Sequence, residues 1–205
     1  MHVGTGGKKS KTEAMFCPAR GARYEDGDTS DLVLNCGGTV SFTKTFVYLG
    51  SLLHNDLTDH HDVEARIKKA SKAFGALRDR IFSSQDLTER LKGKVCKGGV
   101  LAVLLYGCES WCLTQESIQR LSLWHSKRVR EMCRVTMCQT FVHRITSASL
   151  QKRTSVFELQ YYVASRTLQW AGQMARMPKD HLPKRLMLSW VQSPRLPYGQ
   201  EMNYG

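Results

Sequence analysis

The sequence contains no long hydrophobic run, and this absence limits where the protein can act. Its longest apolar run, Val100–Tyr106, has seven residues, whereas a membrane-spanning helix needs roughly 20. The segment Met1–Lys8 has no apolar stretch of the kind that a signal peptide requires. We therefore expect a protein that is neither membrane-bound nor secreted, located in the nucleus or cytoplasm, with reduced thiols.

The sequence also lacks the common motifs of catalysis. It has no glycine-rich phosphate loop, no Gly-x-Ser-x-Gly sequence and no two adjacent aspartates. Asp26, Asp28 and Asp31 lie in a turn-like segment without the spacing of a calcium loop. The string His60-His61-Asp62 has no partner motif, so we interpret it as solvated residues in the first turn of a helix. These patterns predict no catalytic residue and no metal ligand.

The chain has seven cysteines, and an odd number argues against a complete disulfide framework. The spacing of four cysteines is compatible with a zinc site but not diagnostic of one. These candidates are Cys108, Cys112, Cys133 and Cys138, together with His125 and His143. Free thiols within a hydrophobic core are the favoured interpretation. A zinc-stabilised structural module remains an alternative.

The positive charge is confined to one part of the chain. The net charge is +12, and residues 58–205 contain 24 Lys and Arg against 12 Asp and Glu, whereas residues 1–57 are neutral overall. A basic excess in one region is typical of a protein that binds a polyanion. A solvated surface with no such partner is the other interpretation.

The pattern of apolar residues predicts a mainly α fold, a helical bundle preceded by a short, partly disordered β-hairpin arm. We predict three regions: residues 1–57 as the β arm, residues 58–191 as the helical domain and residues 192–205 as a disordered tail. Within the arm, Thr39–Phe42 and Thr45–Leu49 have the β-branched and aromatic composition of strands.

Several helices are predicted from periodicity and capping signals. Residues 58–82 carry an apolar stripe from Val63 to Ile81, with a cap at Thr58 or Asp59. A second helix is predicted from Thr88 to about Leu105, although the pair Gly98-Gly99 within it disfavours an unbroken helix. A third is predicted to begin at Thr114. A fourth should follow a capping box at Ser155–Glu158 and end before Pro178, and a shorter one should span Leu182–Val191. Trp124, Tyr162 and Trp170 lie on apolar stripes, which predicts that they are core residues.

Five strings, in order along the chain, resemble the reverse transcriptases of non-LTR (LINE-type) retrotransposons, from just after the palm to the end of the thumb. They are Lys11–Met15, Phe46–Gly50, Arg66–Leu77, Leu104–Trp111 and Trp170–Met177 followed by Leu182–Arg185. Gln173 departs from the family pattern, which often has histidine there. The resemblance covers nearly the whole chain.

The resemblance implies a thumb-type fragment of an RNA-directed DNA polymerase that binds nucleic acid but is not itself an enzyme. The palm aspartates that hold two metal ions in the family would precede Met1, so Mg²⁺ is expected only for the full-length polymerase, and no cofactor for this chain. By resemblance, Lys11 would lie near the incoming nucleotide. The primer grip would comprise Phe46, Tyr48, Leu49 and Gly50.

Basic helix faces would contact the backbone of RNA, DNA or a hybrid duplex, because Lys and Arg bind phosphates without reading sequence. The predicted contacts are Arg66, Lys68, Lys69, Lys72, Arg78, Lys127, Arg128 and Arg130. Two alternatives remain: a helical protein-interaction module, and a decayed element without a selected function.

Overall fold

A computed structural model describes residues 12–17, 32–34 and 38–188. Most of these residues are helical, and their strands all precede residue 55, which confirms the predicted mainly α fold with a short β-hairpin before the helices. Lys11, Cys36 and the predicted tail 192–205 lie outside the described residues. No described helix combines the length and the apolar character that crossing a membrane would require.

The β-hairpin consists of strands β3 (Thr45–Tyr48) and β4 (Ser51–His54), after a smaller antiparallel pair, β1 (Leu32–Val33) and β2 (Thr39–Val40). Tyr48 lies opposite Ser51, so the turn contains only Leu49 and Gly50. Both turn residues have positive φ, 48° and 90°, as a two-residue type I′ turn requires. The sequence patterns predicted β3 and missed β4.

Helix α1 (His60–Leu77) begins and ends close to its predicted limits, and a π-helical turn, Arg78–Phe82, continues it. Val63 and Phe74 of the predicted stripe are fully buried, and the ring of Phe74 stacks on that of Phe82 with centroids 4.3 Å apart. The predicted cap is wrong, because Asp59 occupies the N-cap position without capping the helix. Its carboxylate instead accepts a hydrogen bond from the backbone N–H of Cys112.

The predicted helix from Thr88 to Leu105 is continuous and comprises α2 (Glu89–Val95), a π-helical turn (Cys96–Leu101) and α3 (Ala102–Leu104). Thr88 caps it by accepting a hydrogen bond from the backbone of Leu91 at 3.4 Å. The pair Gly98-Gly99 lies inside the π-helical turn and does not end the helix. The later half of this helix forms the centre of the core: Cys96, Val100, Leu101, Leu104 and Leu105 are all at most 3% exposed.

The remaining helices are α4 (Gln115–Met132), α5 (Met137–Val142), α6 (Ser147–Thr154), α7 (Leu159–Arg176) and α8 (Leu182–Leu188). Thr114 caps α4, as predicted. The predicted capping box at Ser155–Glu158 is wrong, because Ser155 adopts a left-handed conformation that ends α6, and Glu158 makes no side-chain cap. A capping box is formed instead by Thr136 and Gln139 at the start of α5.

Two glycines show how closely the helices approach each other. A Cβ atom on Gly93 of α2 would lie 2.0 Å from the carbonyl oxygen of Thr154, the last residue of α6. The absence of a side chain at Gly93 therefore allows direct contact between the two backbones. Gly75 of α1, by contrast, has nothing within 4 Å of such a Cβ atom and is exposed.

Candidate functional site

Two of the strings that carry the family resemblance meet at the tip of the β3–β4 hairpin. The hydroxyl of Tyr106 donates a hydrogen bond to the carbonyl oxygen of Leu49 at 3.1 Å. Gly107, with φ of 78°, lies so close that a Cβ atom there would be 2.9 Å from the hydroxyl of Ser51. The hairpin turn and the turn after α3 therefore form one unit, which we call the hairpin junction (residues 48–52, 62, 66, 106, 107 and 111).

Asp62 is the centre of the hairpin junction. Its side chain is buried, and its carboxylate accepts hydrogen bonds of 2.9 Å from the backbone N–H of Leu52 and from the indole N–H of Trp111. The carboxylate thus connects β4, α1 and the segment after α3. The interpretation of Asp62 as a solvated residue is wrong, because the hairpin, whose second strand the sequence did not reveal, covers it.

Arg66 lies one helical turn after Asp62 and is 4% exposed. Its guanidinium donates to the carbonyl oxygen of Gly50 at 2.8 Å, lies 3.5 Å from the carboxylate of Asp62 and stacks 4.6 Å from the ring centroid of Tyr106. The prediction that Arg66 lies on an exposed helix face is therefore wrong. Its guanidinium is occupied by the hairpin turn, Asp62 and Tyr106, so Arg66 is not available to a phosphate.

The outer surface of the hairpin junction is apolar and aromatic. Tyr48 and Leu49, two of the predicted primer-grip residues, are 58% and 76% exposed, and Tyr106 is 51% exposed. Phe46 and Gly50 are half-buried. An open cleft beside the turn is also lined by Glu109 and Arg166. These exposed side chains offer an apolar and aromatic surface for contact and stacking.

The lysines of α1 form a second exposed feature, the lysine face (Lys68, Lys69 and Lys72). All three side chains are exposed, and none is in an ion pair with another described residue. No acidic residue occurs from Ala65 to Arg78. The face therefore presents uncompensated positive charge on the side of α1 away from the core, as predicted.

The other predicted phosphate contacts differ in their availability. Glu131 of α4 forms an ion pair with Arg78 at 2.8 Å and accepts a hydrogen bond from Arg128 at 2.5 Å, so both arginines are already paired with a carboxylate. Arg128 is also half-buried, 5.0 Å from the ring centroid of Phe74. Lys127 is exposed, and Arg130 is half-buried. The predicted residues that remain available to contact a nucleic-acid backbone are therefore the lysine face and Lys127.

The fifth string, Trp170–Met177, lies in the second half of α7 (Leu159–Arg176). Trp170 is 42% exposed, so the prediction that it is a core residue is wrong, whereas Trp124 and Tyr162 do pack against the core. Arg166 of α7 lies beside the junction: it donates to the carbonyl oxygen of Leu105 at 2.9 Å and lies 3.6 Å from the carboxylate of Glu109.

The cysteines do not come together as a zinc site among the residues that the structure describes. Burial raises the pKa of Cys96 to about 12 and the pKa values of Cys108 and Cys133 to about 11. These three are free core thiols, as predicted, and they are protonated at neutral pH. Cys112 and Cys138 are exposed, which the interpretation as core thiols did not foresee.

A cluster that the sequence patterns missed lies where β4 leads into α1. His54, Asp56 and His61 bring two imidazoles and a carboxylate within 4.8 Å of one another. Burial raises the pKa of Asp56, but hydrogen bonds from Thr58, His54 and His61 outweigh it and hold that pKa well below its usual range. The signal that could have revealed this cluster is the spacing His-x-Asp-x4-His where the predicted arm meets the first predicted helix.

Comparison with known proteins finds a distant relative that aligns with part of this chain. No family model matches this chain, and no solved structure matches it at a significant level. The chain is 26% identical, over 147 residues, to an uncharacterized transposon-derived protein of Caenorhabditis elegans. The alignment covers 71% of this chain and 51% of that protein, so the chain spans about half the length of this relative.

Proposed function

We propose that this chain binds the backbone of nucleic acids without reading their sequence. The observation that carries the proposal is the lysine face: three exposed lysines within two turns of α1, without a carboxylate to neutralise them. Phosphates release condensed counterions when lysines replace those ions, and this release drives binding that does not depend on sequence. Lys127 on the neighbouring helix α4 is exposed and adds to the same charge.

We infer further that the chain is a thumb-type fragment of a non-LTR retrotransposon reverse transcriptase. Two findings support this origin. The strings Phe46–Gly50 and Leu104–Trp111, distant in sequence, contact each other at the hairpin junction. The relative in Caenorhabditis elegans is itself described as transposon-derived. In this role the exposed Tyr48 and Leu49 would support a primer end, and the lysine face would follow an RNA–DNA duplex.

The experiment that tests the proposal is a salt titration of binding to an RNA–DNA hybrid. The variant Lys68→Ala/Lys69→Ala/Lys72→Ala should bind more weakly, and the slope of log K against log salt should become shallower by about 0.9 for each phosphate that the variant no longer neutralises. Binding to double-stranded DNA should weaken in parallel, because both duplexes present the same phosphate groups. Circular dichroism should stay unchanged, since exposed charges contribute little to stability.

A control of equal charge separates a specific surface from net charge. The variant Lys94→Ala/Lys152→Ala/Lys179→Ala also removes three exposed lysines, from α2, α6 and the segment before α8. We expect its salt slope to remain close to that of the parent chain. Equal slopes for the two variants would contradict the assignment of binding to α1.

A protein-interaction role is the alternative, and exposed apolar residues on α5 favour it. Met137, Phe141 and Val142 are 68%, 87% and 66% exposed on one short helix. If the parent chain fails to shift any duplex at low salt, this alternative becomes the better explanation of the fold.

A further inference from the structure

We propose that His54, Asp56 and His61 form a binding site for one divalent transition-metal ion, with Zn²⁺ as the best fit. This inference does not depend on nucleic-acid binding, and it concerns residues that the sequence patterns assigned to no site. Two neutral imidazoles and a carboxylate are ligands that suit Zn²⁺, and three protein ligands leave a fourth position for water.

The distances between the donor atoms suit a tetrahedral ion. Nδ1 of His54 lies 3.0 Å from Oδ1 of Asp56, and Nε2 of His61 lies 3.1 Å from Oδ2 of the same carboxylate. With Zn–N and Zn–O bonds of about 2.0–2.1 Å, neighbouring ligands of a tetrahedral site are about 3.3 Å apart. The donor atoms of all three side chains lie within 4.8 Å of one another. The two imidazoles are stacked, with ring centroids 3.7 Å apart, so the rings must splay apart for both nitrogens to point at one ion.

The carboxylate of Asp56 is already oriented by its neighbour. The backbone N–H and the hydroxyl of Thr58 both donate to Oδ1, at 2.9 and 3.0 Å. Hydrogen bonds of this kind to a ligating carboxylate fix its position in metal sites. The side chains of Asp56 and His61 are 41% and 36% exposed, which leaves room for an ion to enter and for a water ligand.

The contacts around Nδ1 of His54 favour a cation at this position. The backbone N–H of Asp56 points to this nitrogen at 3.3 Å, which calls for a lone pair on the ring. The carboxylate oxygen at 3.0 Å calls for a proton on the same atom. An imidazole nitrogen cannot satisfy both neighbours at once. A metal ion bound to both Nδ1 and Oδ1 would remove the repulsion between their lone pairs, while the backbone N–H of Asp56 would give up its 3.3 Å contact with Nδ1.

A metal ion here would connect the end of β4 to the first turn of α1. His61 is adjacent to Asp62, the centre of the hairpin junction, so the ion would stabilise the attachment of the hairpin to the helices. Binding to the folded state alone raises the melting temperature as the metal concentration rises.

The test uses the full chain and measures the binding of Zn²⁺ by calorimetry and of Co²⁺ by visible absorption. We expect one equivalent to bind with tetrahedral Co²⁺ bands but without thiolate-to-metal charge transfer. The variants His54→Ala and His61→Ala should each lower the affinity by more than about 100-fold, since loss of an outer partner alone costs 10–100-fold. His60→Ala is the matched control, because Nε2 of His60 faces Glu64 and Arg120 and its ring meets that of His61 only edge-on, with centroids 5.9 Å apart, so this variant should retain binding.

Zn²⁺ should also raise the melting temperature of the parent chain and of His60→Ala, but not that of His54→Ala. Melting in the absence of metal shows whether each variant folds. Three results would overturn the proposal: no saturable binding, equal affinity in all the histidine variants, or binding that is lost only in Cys112→Ser/Cys138→Ser. The last result would assign the metal to the exposed thiols.

Discussion

At the scale of single residues, Gly93 sets the closest approach between helices. The variant Gly93→Ala should lower the free energy of unfolding by roughly 1–3 kcal/mol, the usual cost of overpacking, because its methyl group would meet the backbone of Thr154 at 2.0 Å. Urea unfolding monitored by circular dichroism measures the change.

Gly75→Ala is the matched control, because it makes the same change at an exposed helical position with nothing within 4 Å. Its free energy of unfolding should rise by about 0.5–1 kcal/mol, since alanine restricts the unfolded chain and favours the helix. Losses of similar size in both variants would mean that Gly93 does not carry a tight contact.

His125 should make stability depend on pH. Burial lowers its pKa from 6.5 to about 4, so the unfolded chain binds a proton in this interval that the folded chain does not. The contribution of His125 to stability is therefore complete above pH 6.5. It should fall by about 3 kcal/mol as the pH decreases to 4. The variant His125→Leu should lose less stability than the parent chain over this interval, as measured by urea unfolding at several pH values.

Sequence reasoning was correct for residues whose environment their own helix determines. Lys68, Lys69 and Lys72 were expected on the exposed face of α1 and are found there. It failed for Arg66 and Trp170, because exposure there depends on other elements: the hairpin covers Arg66, and no described neighbour covers Trp170 completely.

At the scale of elements, the attachment of the hairpin to α1 depends on the pair Asp62 and Arg66. Asp62→Ala leaves a buried guanidinium without its carboxylate, a change that typically costs about 3–5 kcal/mol. The double variant Asp62→Leu/Arg66→Met should be more stable than Asp62→Ala, since no unpaired charge remains. Tyr106→Phe removes one hydrogen bond at the surface of the same junction and should cost only about 1 kcal/mol.

Chemical denaturation measures all three variants. If Asp62→Ala and Tyr106→Phe cost the same, the buried pair does not hold the hairpin. Comparison of Asp62→Ala with the double variant separates the loss of attraction from the burial of a lone charge.

The long helices were predictable because each has an apolar period of about 3.6 residues, and two of them also have a capping threonine, Thr88 or Thr114. β4, α5 and α6 were missed. β4 spans only four residues, and pairing with β3 rather than its own pattern makes it a strand. α5 and α6 are short, although the spacing Thr136-x-x-Gln139 was a usable signal for the first.

At the scale of the whole molecule, we predict that the isolated chain does not extend a primer on an RNA template with Mg²⁺ and nucleotides. Two-metal phosphoryl transfer needs clustered carboxylates, and the sequence has no adjacent aspartates. A primer-extension assay with purified protein tests this expectation, with a known reverse transcriptase as the positive control. Template-dependent synthesis that co-purifies with the chain would contradict it.

The candidate sites depend on contacts between distant segments, which a single sequence does not reveal. The apolar pattern identified the helices on either side of the hairpin junction but not the contact between Leu49 and Tyr106. The cluster of His54, Asp56 and His61 likewise requires the chain to reverse after β4. Both arrangements follow from tertiary packing rather than from local preference.

The bond from Trp111 to Asp62 has a consequence for synthesis on the ribosome. The two residues are 49 positions apart, so α1 must leave the exit tunnel well before its indole partner does. At 5–20 residues per second, Asp62 waits roughly 2–10 seconds for Trp111. During that interval the carboxylate of Asp62 lacks its hydrogen bond from Trp111, and its remaining partners are Arg66 and the hairpin. Nascent chains stalled shortly before Trp111 emerges should therefore be cleaved by protease near the hairpin, whereas chains stalled about 20 residues later should be protected there.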